Sequence, residues 1–260
     1  TSKYSIFSPS WAPDGKRIAY VMLEDAGSRV YLQDITTGKK ELISANRGLN
    51  SAPAFSPDGN KLLVQGGPEC FGELGVNVSE GRIPNSYDTQ LYIFDLASKK
   101  VDPITKNFDP SIGDAYWSKN NEIYVSVTEK DYENLYKYDL KSKTLSKINL
   151  MVEVLGKIDF AYDKPIAVYT GTSISTPKKL YSIDLKKGIS KMISFPEKDR
   201  FANIQFGKTE PWNFTNKNGI TIYGRVYYPT NYDASKKYPV IVNFYVGTSP
   251  IERSFVSGKP

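Results

Sequence analysis

The chain has 260 residues, 40% of them hydrophobic, and none of its apolar runs approaches the roughly 18 residues of a membrane-spanning helix. Its 34 Lys+Arg against 28 Asp+Glu give a net charge of +6, but the lysines sit in pairs at turn tips, such as Lys39-Lys40 and Lys99-Lys100, so no nucleic-acid partner is expected. With no histidine and one cysteine, Cys70, the chain excludes an internal disulfide and a His/Cys metal site; no cofactor is called for, and the compartment stays open.

The start, Thr1-Ser2-Lys3-Tyr4, has neither a signal peptide nor an initiator methionine, so a processed or cut piece is expected. The first predicted element is a strand that reaches Ser10-Trp11, followed by Ala12-Pro13-Asp14-Gly15. Proline fixes φ for the first turn position and Asp-Gly supplies the reversal. A second strand follows, and then Val30-Tyr31-Leu32-Gln33-Asp34-Ile35. Its β-branched and aromatic residues suit a half-buried strand, and Asp34 starts a polar turn because its carboxylate can accept nearby backbone N–H groups. A fourth strand is expected at 40–43.

This pattern recurs. Ala54-Phe55-Ser56-Pro57-Asp58-Gly59 repeats the first half; 116–125 and 159–168 repeat it more weakly, with Asp163-Lys164-Pro165 in place of Pro-Asp-Gly. Leu91-Tyr92-Ile93-Phe94-Asp95-Leu96, Leu135-Tyr136-Lys137-Tyr138-Asp139-Leu140 and Leu180-Tyr181-Ser182-Ile183-Asp184-Leu185 repeat the second half. The Asp-to-Asp steps are 61, 44 and 45 residues. Four antiparallel strands per ~44 residues is a β-propeller blade. The blades run over about 4–44, 50–105, 112–150 and 154–195, in a propeller domain of residues 1–200 that is expected to be part of a larger ring. Trp11, Phe55, Trp117 and Phe160 hold matching positions and are expected in the core.

The long step places an insertion between Val64 and Leu91. It is Gly-rich and carries Glu69, Glu73, Glu80 and Arg82. Long loops in compact domains often bind ligands, and these glutamates are candidates for holding a cationic group such as a peptide N-terminus, though most loop charges are simply solvated. Two glycosylation triplets, at Asn77 and Asn213, are of a kind that arises often by chance.

After Pro196 the pattern changes. An alternating strand over 219–228 ends at Pro229. A polar connector leads to Tyr238-Pro239-Val240-Ile241-Val242-Asn243-Phe244-Tyr245, a nearly continuous apolar run that predicts a strand buried on both faces. Residues 208–260 thus read as the start of a second domain.

This segment resembles the beginning of the α/β-hydrolase domain in the prolyl oligopeptidase family of serine peptidases, through Asn218-Gly219, Tyr227-Tyr228-Pro229, Asn231-Tyr232-Asp233, Lys236-Lys237-Tyr238-Pro239-Val240-Ile241-Val242 and the Tyr245-Val246-Gly247 corner. In that family a propeller with Pro-Asp-Gly blades precedes this point, gates a Ser-Asp-His triad and limits access to short peptides. The resemblance implies that Tyr245 donates to the oxyanion. It also implies a propeller supplying acidic residues to the substrate amine, the rest of the hydrolase domain as a partner, and a periplasmic or secreted setting. A homodimer is left open. Val246 departs from the Gly or Ala usual at its position. More decisively, the chain lacks a Gly-x-Ser-x-Gly elbow and any histidine, and no signature marks Ser254, Ser257 and Lys259 as a substitute, so alone it is expected to be inactive. Two other readings stand: a TolB-like propeller that binds a peptide or protein, and a catalytically dead paralogue.

Overall fold

The computed structural model describes residues 4–25, 27–44, 52–84, 88–244 and 253–255. It forms two compact units. One comprises residues 1–129, 134–149 and 162–164; the other comprises 130–133, 150–161 and 165–260.

The first unit holds three sets of four antiparallel strands, as blades require. The first is β1 (Ser5–Trp11), β2 (Arg17–Glu24), β3 (Gly27–Asp34) and β4 (Lys40–Leu42). The second is β5 (Ala54–Phe55), β6 (Lys61–Gly66), β7 (Gln90–Asp95) and β8 (Val101–Pro103). The third is β9 (Ser111–Trp117), β10 (Ile123–Glu129), β11 (Tyr132–Asp139) and β12 (Thr144–Ile148), with the β10–β11 tip counted in the second unit. Each set runs in sequence order, so its first and third turns share one edge and its middle loop lies on the other.

The turn aspartates act as their sequence context predicts. Asp34 Oδ1 accepts from the backbone N of Thr37 at 2.7 Å, Asp95 Oδ1 from Ser98 at 2.8 Å and Asp139 Oδ1 from Ser142 at 2.7 Å. Gly15 and Gly59 hold φ of 67° and 70° in the Pro-Asp-Gly turns, a region that costs a residue with a Cβ. Asn121 takes that place in the third sheet, at φ 60°.

The period-2 pattern of the middle strands serves two cores. Leu62, Val64, Tyr92 and Phe94 pack with Val21, Val30 and Leu32 of the first sheet, while Leu63 and Leu91 face Ile123, Val125 and Trp117 of the third. Phe55 and Trp117 are buried as expected, each against the preceding sheet. Trp11 corrects its expectation. It is 63% exposed, and among the described residues no sheet precedes β1 for its ring to meet. Phe160 is only half-buried.

A cross-blade ion pair recurs on the turn edge. Lys99 Nζ lies 2.5 Å from Glu41 of the sheet before it, and Lys143 Nζ lies 2.7 Å from Asp102 in the same relation. Both lysines stand at positive φ, 59° and 56°, where the first and fourth tips use Gly38 and Gly188. Where the acid is replaced by Ser146, the following tip carries glycine. Such exposed pairs fix register more than they stabilise.

The second unit contains β13 (Val154–Phe160), β14 (Ile166–Ser173), β15 (Thr176–Asp184) and β16 (Ile189–Ser194), a fourth set of four antiparallel strands, which a single parallel pairing of Glu133 with Val154 joins to β11 in one eight-stranded sheet. Its middle buries Tyr169, Tyr181 and Ile183, with the two tyrosine rings stacked at 5.1 Å. One turn of helix, α1 (Lys198–Phe201), leads to a hairpin of β17 (Thr209–Thr215) and β18 (Thr221–Tyr227).

The strand predicted from Tyr238 onward is a correction. Residues 238–244 form no strand, and Val240, Ile241, Val242 and Phe244 are 78–95% exposed. A strand buried on both faces needs neighbours and covering helices, and nothing among the described residues supplies them.

Candidate functional site

The insertion on the second sheet is folded down. Cys70 and Phe71 turn inward to the first core, and Phe71 stacks on Phe94 at 6.0 Å and tilts on Tyr92 at 5.0 Å. The Tyr92 hydroxyl donates to the carbonyls of Gly67 at 2.8 Å and Pro68 at 3.1 Å, pinning the start of the loop. A short 3₁₀ turn, Gly72–Gly75, then brings Gly75 against Tyr92, where a Cβ would lie 2.0 Å from the hydroxyl oxygen. Burial pushes the Cys70 thiol up to about 12 and raises the Tyr92 phenol, so neither is a nucleophile or base near neutrality.

All four charged candidates are on the outside of this anchored lip. Glu69, Glu73, Glu80 and Arg82 are exposed, and none is ion-paired among the described residues. They lie along one insertion, and among the described residues no hydrogen bond or ion pair joins any two of them. Chemically this is a rim of solvent-facing carboxylates that can receive a cation but cannot transfer a proton to a fixed position. Tyr245 and Val246 lie outside the described residues. Among the described residues no group of His, Cys, Asp and Glu could hold a metal ion, and no helix is long and apolar enough to cross a membrane.

Sequence reasoning missed a charged knot in the second unit. Asp131, at the tip before β11, accepts from Arg225 Nη2 at 2.5 Å and lies 3.0 Å from Arg253 Nε. Arg253 Nη1 donates to Glu153 at 2.6 Å, and its guanidinium lies 3.6 Å from the Tyr132 ring centroid. Both arginines are buried. Burial pushes the Asp131 carboxyl up, but the two guanidiniums outweigh it and hold the group below its ordinary value. The knot ties the β17–β18 hairpin and residues 253–255 to a strand tip. Phe255 adds ring contacts to Phe201 and Phe206 at 5.3 and 5.4 Å. No local signal announces it, since the ion pairs join residues 94 and 100 positions apart.

Known proteins resemble this chain in two ways. The TolB β-propeller domain (PD40) model matches residues 1–69. Tol-Pal system protein TolB of Xylella fastidiosa is 55% identical over 47 residues, which are 18% of this chain and 11% of that protein. Dipeptidyl-peptidase 5 of Porphyromonas gingivalis is 26% identical over 247 residues, 90% of this chain. The chain spans 34% of that relative's length. A Mycobacterium tuberculosis puromycin-hydrolyzing peptidase superposes with a TM-score of 0.60 over 86% of this chain and 34% of its own, at 14% identity, a likeness of fold. The first 69 residues are therefore similar to the TolB β-propeller, and most of the chain is distantly similar to dipeptidyl-peptidase 5.

Proposed function

We propose that this chain is the β-propeller and the first part of the α/β-hydrolase domain of a serine peptidase of the prolyl oligopeptidase family that cleaves short peptides. The observation that carries the reading is the state of the tail. Four apolar side chains of a strand-like run stand in solvent, as a sheet strand would without its sheet. The match to dipeptidyl-peptidase 5 supports it, because a 90% overlap leaves too few residues unmatched to omit 208–260. In this reading the propeller occupies 1–200 and limits substrate size. The lip offers Glu69, Glu73 and Glu80 to a peptide amine and Arg82 to a carboxylate or carbonyl. Tyr245 donates to the oxyanion, and the nucleophile, acid and base come from sequence that follows. The chain by itself hydrolyses nothing, since it has no imidazole to activate a serine.

The test is the intact mass of the protein from its source cells, together with labelling by a fluorophosphonate. A mass well above 29.2 kDa with labelling is expected, and Tyr245→Phe should then lower kcat about a hundredfold. A mass of 29.2 kDa without labelling would overturn the peptidase reading. It would favour a TolB-like propeller that holds a peptide or protein, which the dense identity to TolB over 47 residues supports.

A further inference from the structure

The repeats of the first unit supply their own comparison. On the turn edge, a groove lies between the first and second sheets, and its counterpart lies between the second and third. Their linings correspond: Asp34 with Asp95, Lys39 with Lys100, Glu41 with Asp102. Their contents differ.

In the first groove Arg17 is the occupant. Its Nη2 donates to Asp14 Oδ2 at 2.8 Å and across to the carbonyl of Gly59 at 3.0 Å, and its guanidinium lies 5.8 Å from the Phe55 ring. About 250 Å³ remains. In the second groove the equivalent residue is Lys61, which turns back to Asp95 of its own sheet at 2.7 Å. Lys61 therefore does not reach the next sheet as Arg17 does. Trp117 replaces Phe55, Asn121 replaces Gly59, and the space is about 570 Å³. The balance of charge shifts too. The first lining has three cations and two carboxylates; the second has two lysines and three carboxylates, Asp58, Asp95 and Asp102, of which Asp102 is also paired with Lys143 of the third sheet at 2.7 Å.

We propose that the groove between the second and third sheets binds the guanidinium of an arginine side chain on a peptide or protein partner, in the place that Arg17 fills in the groove before it. The components are the Trp117 indole, whose N–H donates to Asn121 Oδ1 at 2.9 Å, the left-handed Asn121 in the place of Gly59, and adjacent carboxylates, a set that suits a flat, weakly hydrated cation. Asp58 and Asp95 are held below the ordinary carboxylate range. Ser56 is the main cause for the first and Lys61 for the second, so both are charged at neutrality. A guanidinium in the pose of Arg17 passes 3.3 Å from where a Gly59 Cβ would be. Asn121 has that Cβ, so the incoming group sits slightly farther out, in the larger space. This inference does not depend on the peptidase reading.

Nα-acetylarginine amide would be titrated into the full chain while the Trp117 indole N–H resonance is followed, with acetylcitrulline amide as the uncharged isostere. Saturable, millimolar binding of the arginine compound alone is expected. Lys61→Arg with Asn121→Gly rebuilds the first groove and provides an internal occupant, so it should weaken that binding about tenfold or more. Lys61→Met removes the competing cation and should tighten it. Equal responses to arginine and citrulline, or no response, would overturn the proposal. So would the same affinity in wild type and Lys61→Met. If the double variant does not fold, the opposed effect of Lys61→Met still decides.

Discussion

Strand β6 and the tail run at 240–244 are built from the same kinds of residue and meet opposite fates. Leu62, Leu63 and Val64 are sealed between two neighbouring sheets, whereas Val240, Ile241 and Val242 stand in water. Strand propensity is higher in the β-branched tail run, so it does not explain the difference. β6 has β5 and β7 on its edges and a core on each face. Among the described residues the tail run has neither. A strand is a property of its neighbours as much as of its residues.

The comparison breaks most readily at its ends. Leu62→Ala should cost about 3 kcal/mol of unfolding free energy, the usual scale for emptying a packed site, while Ile241→Ala should stay within about 0.5 kcal/mol. Urea denaturation of the two variants checks this, and similar losses would mean that the tail run is packed. Gly75→Ala comes next. Its new methyl would meet the Tyr92 hydroxyl and the Pro68 carbonyl at 2.0 and 2.6 Å, so a loss of about 1–3 kcal/mol is expected, with the lip displaced and Tyr92 fluorescence altered. Gln90→Met has the reverse sign. Gln90 is 2% exposed and neither side-chain amide atom has a hydrogen-bond partner among the described residues, so an isosteric apolar chain should raise stability by about 1 kcal/mol. A fall in its melting temperature would reveal a buried partner such as a water.

The smallest effect is the response to acid. Backbone N–H donors at Lys16, Thr37 and Ser142 hold Asp14, Asp34 and Asp139 below the ordinary carboxylate range; Ser56 and Lys61 side chains do the same for Asp58 and Asp95. Because folding depresses these groups, their contribution is present above the unfolded value of about 4 and lost as pH falls through the folded ones. Urea midpoints should be flat from about pH 7 to 5 and drop below about pH 4. Asparagine at Asp34 or Asp139 should lower the neutral midpoint and flatten that drop.

The blades were legible because their signals are local. A turn needs Pro-Asp-Gly within three residues, and Asp34, Asp95 and Asp139 bond donors only three positions on. The long step also marked the insertion, but not its anchoring, since Cys70 and Phe71 look like any loop residues until Tyr92 is placed beneath them. Trp11 misled because the ring at that position packs on the sheet before its own. The Asp131 knot was invisible for the opposite reason to the turns: its partners are about a hundred residues away in sequence. Between these cases lie the grooves. Arg17 against Lys61 and Gly59 against Asn121 can be aligned by eye, yet only the fold shows that each pair faces the other across a blade junction.

Backbone hydrogen exchange, resolved by residue in the chain as it stands, tests the account most directly. Amides of β6 at 62–65 should be protected for hours, as interior strands are, and those at 240–244 should exchange at the rate of an unstructured peptide. Comparable protection of the two segments would contradict the account, because the tail run would then already have the sheet that the proposed hydrolase domain is meant to provide.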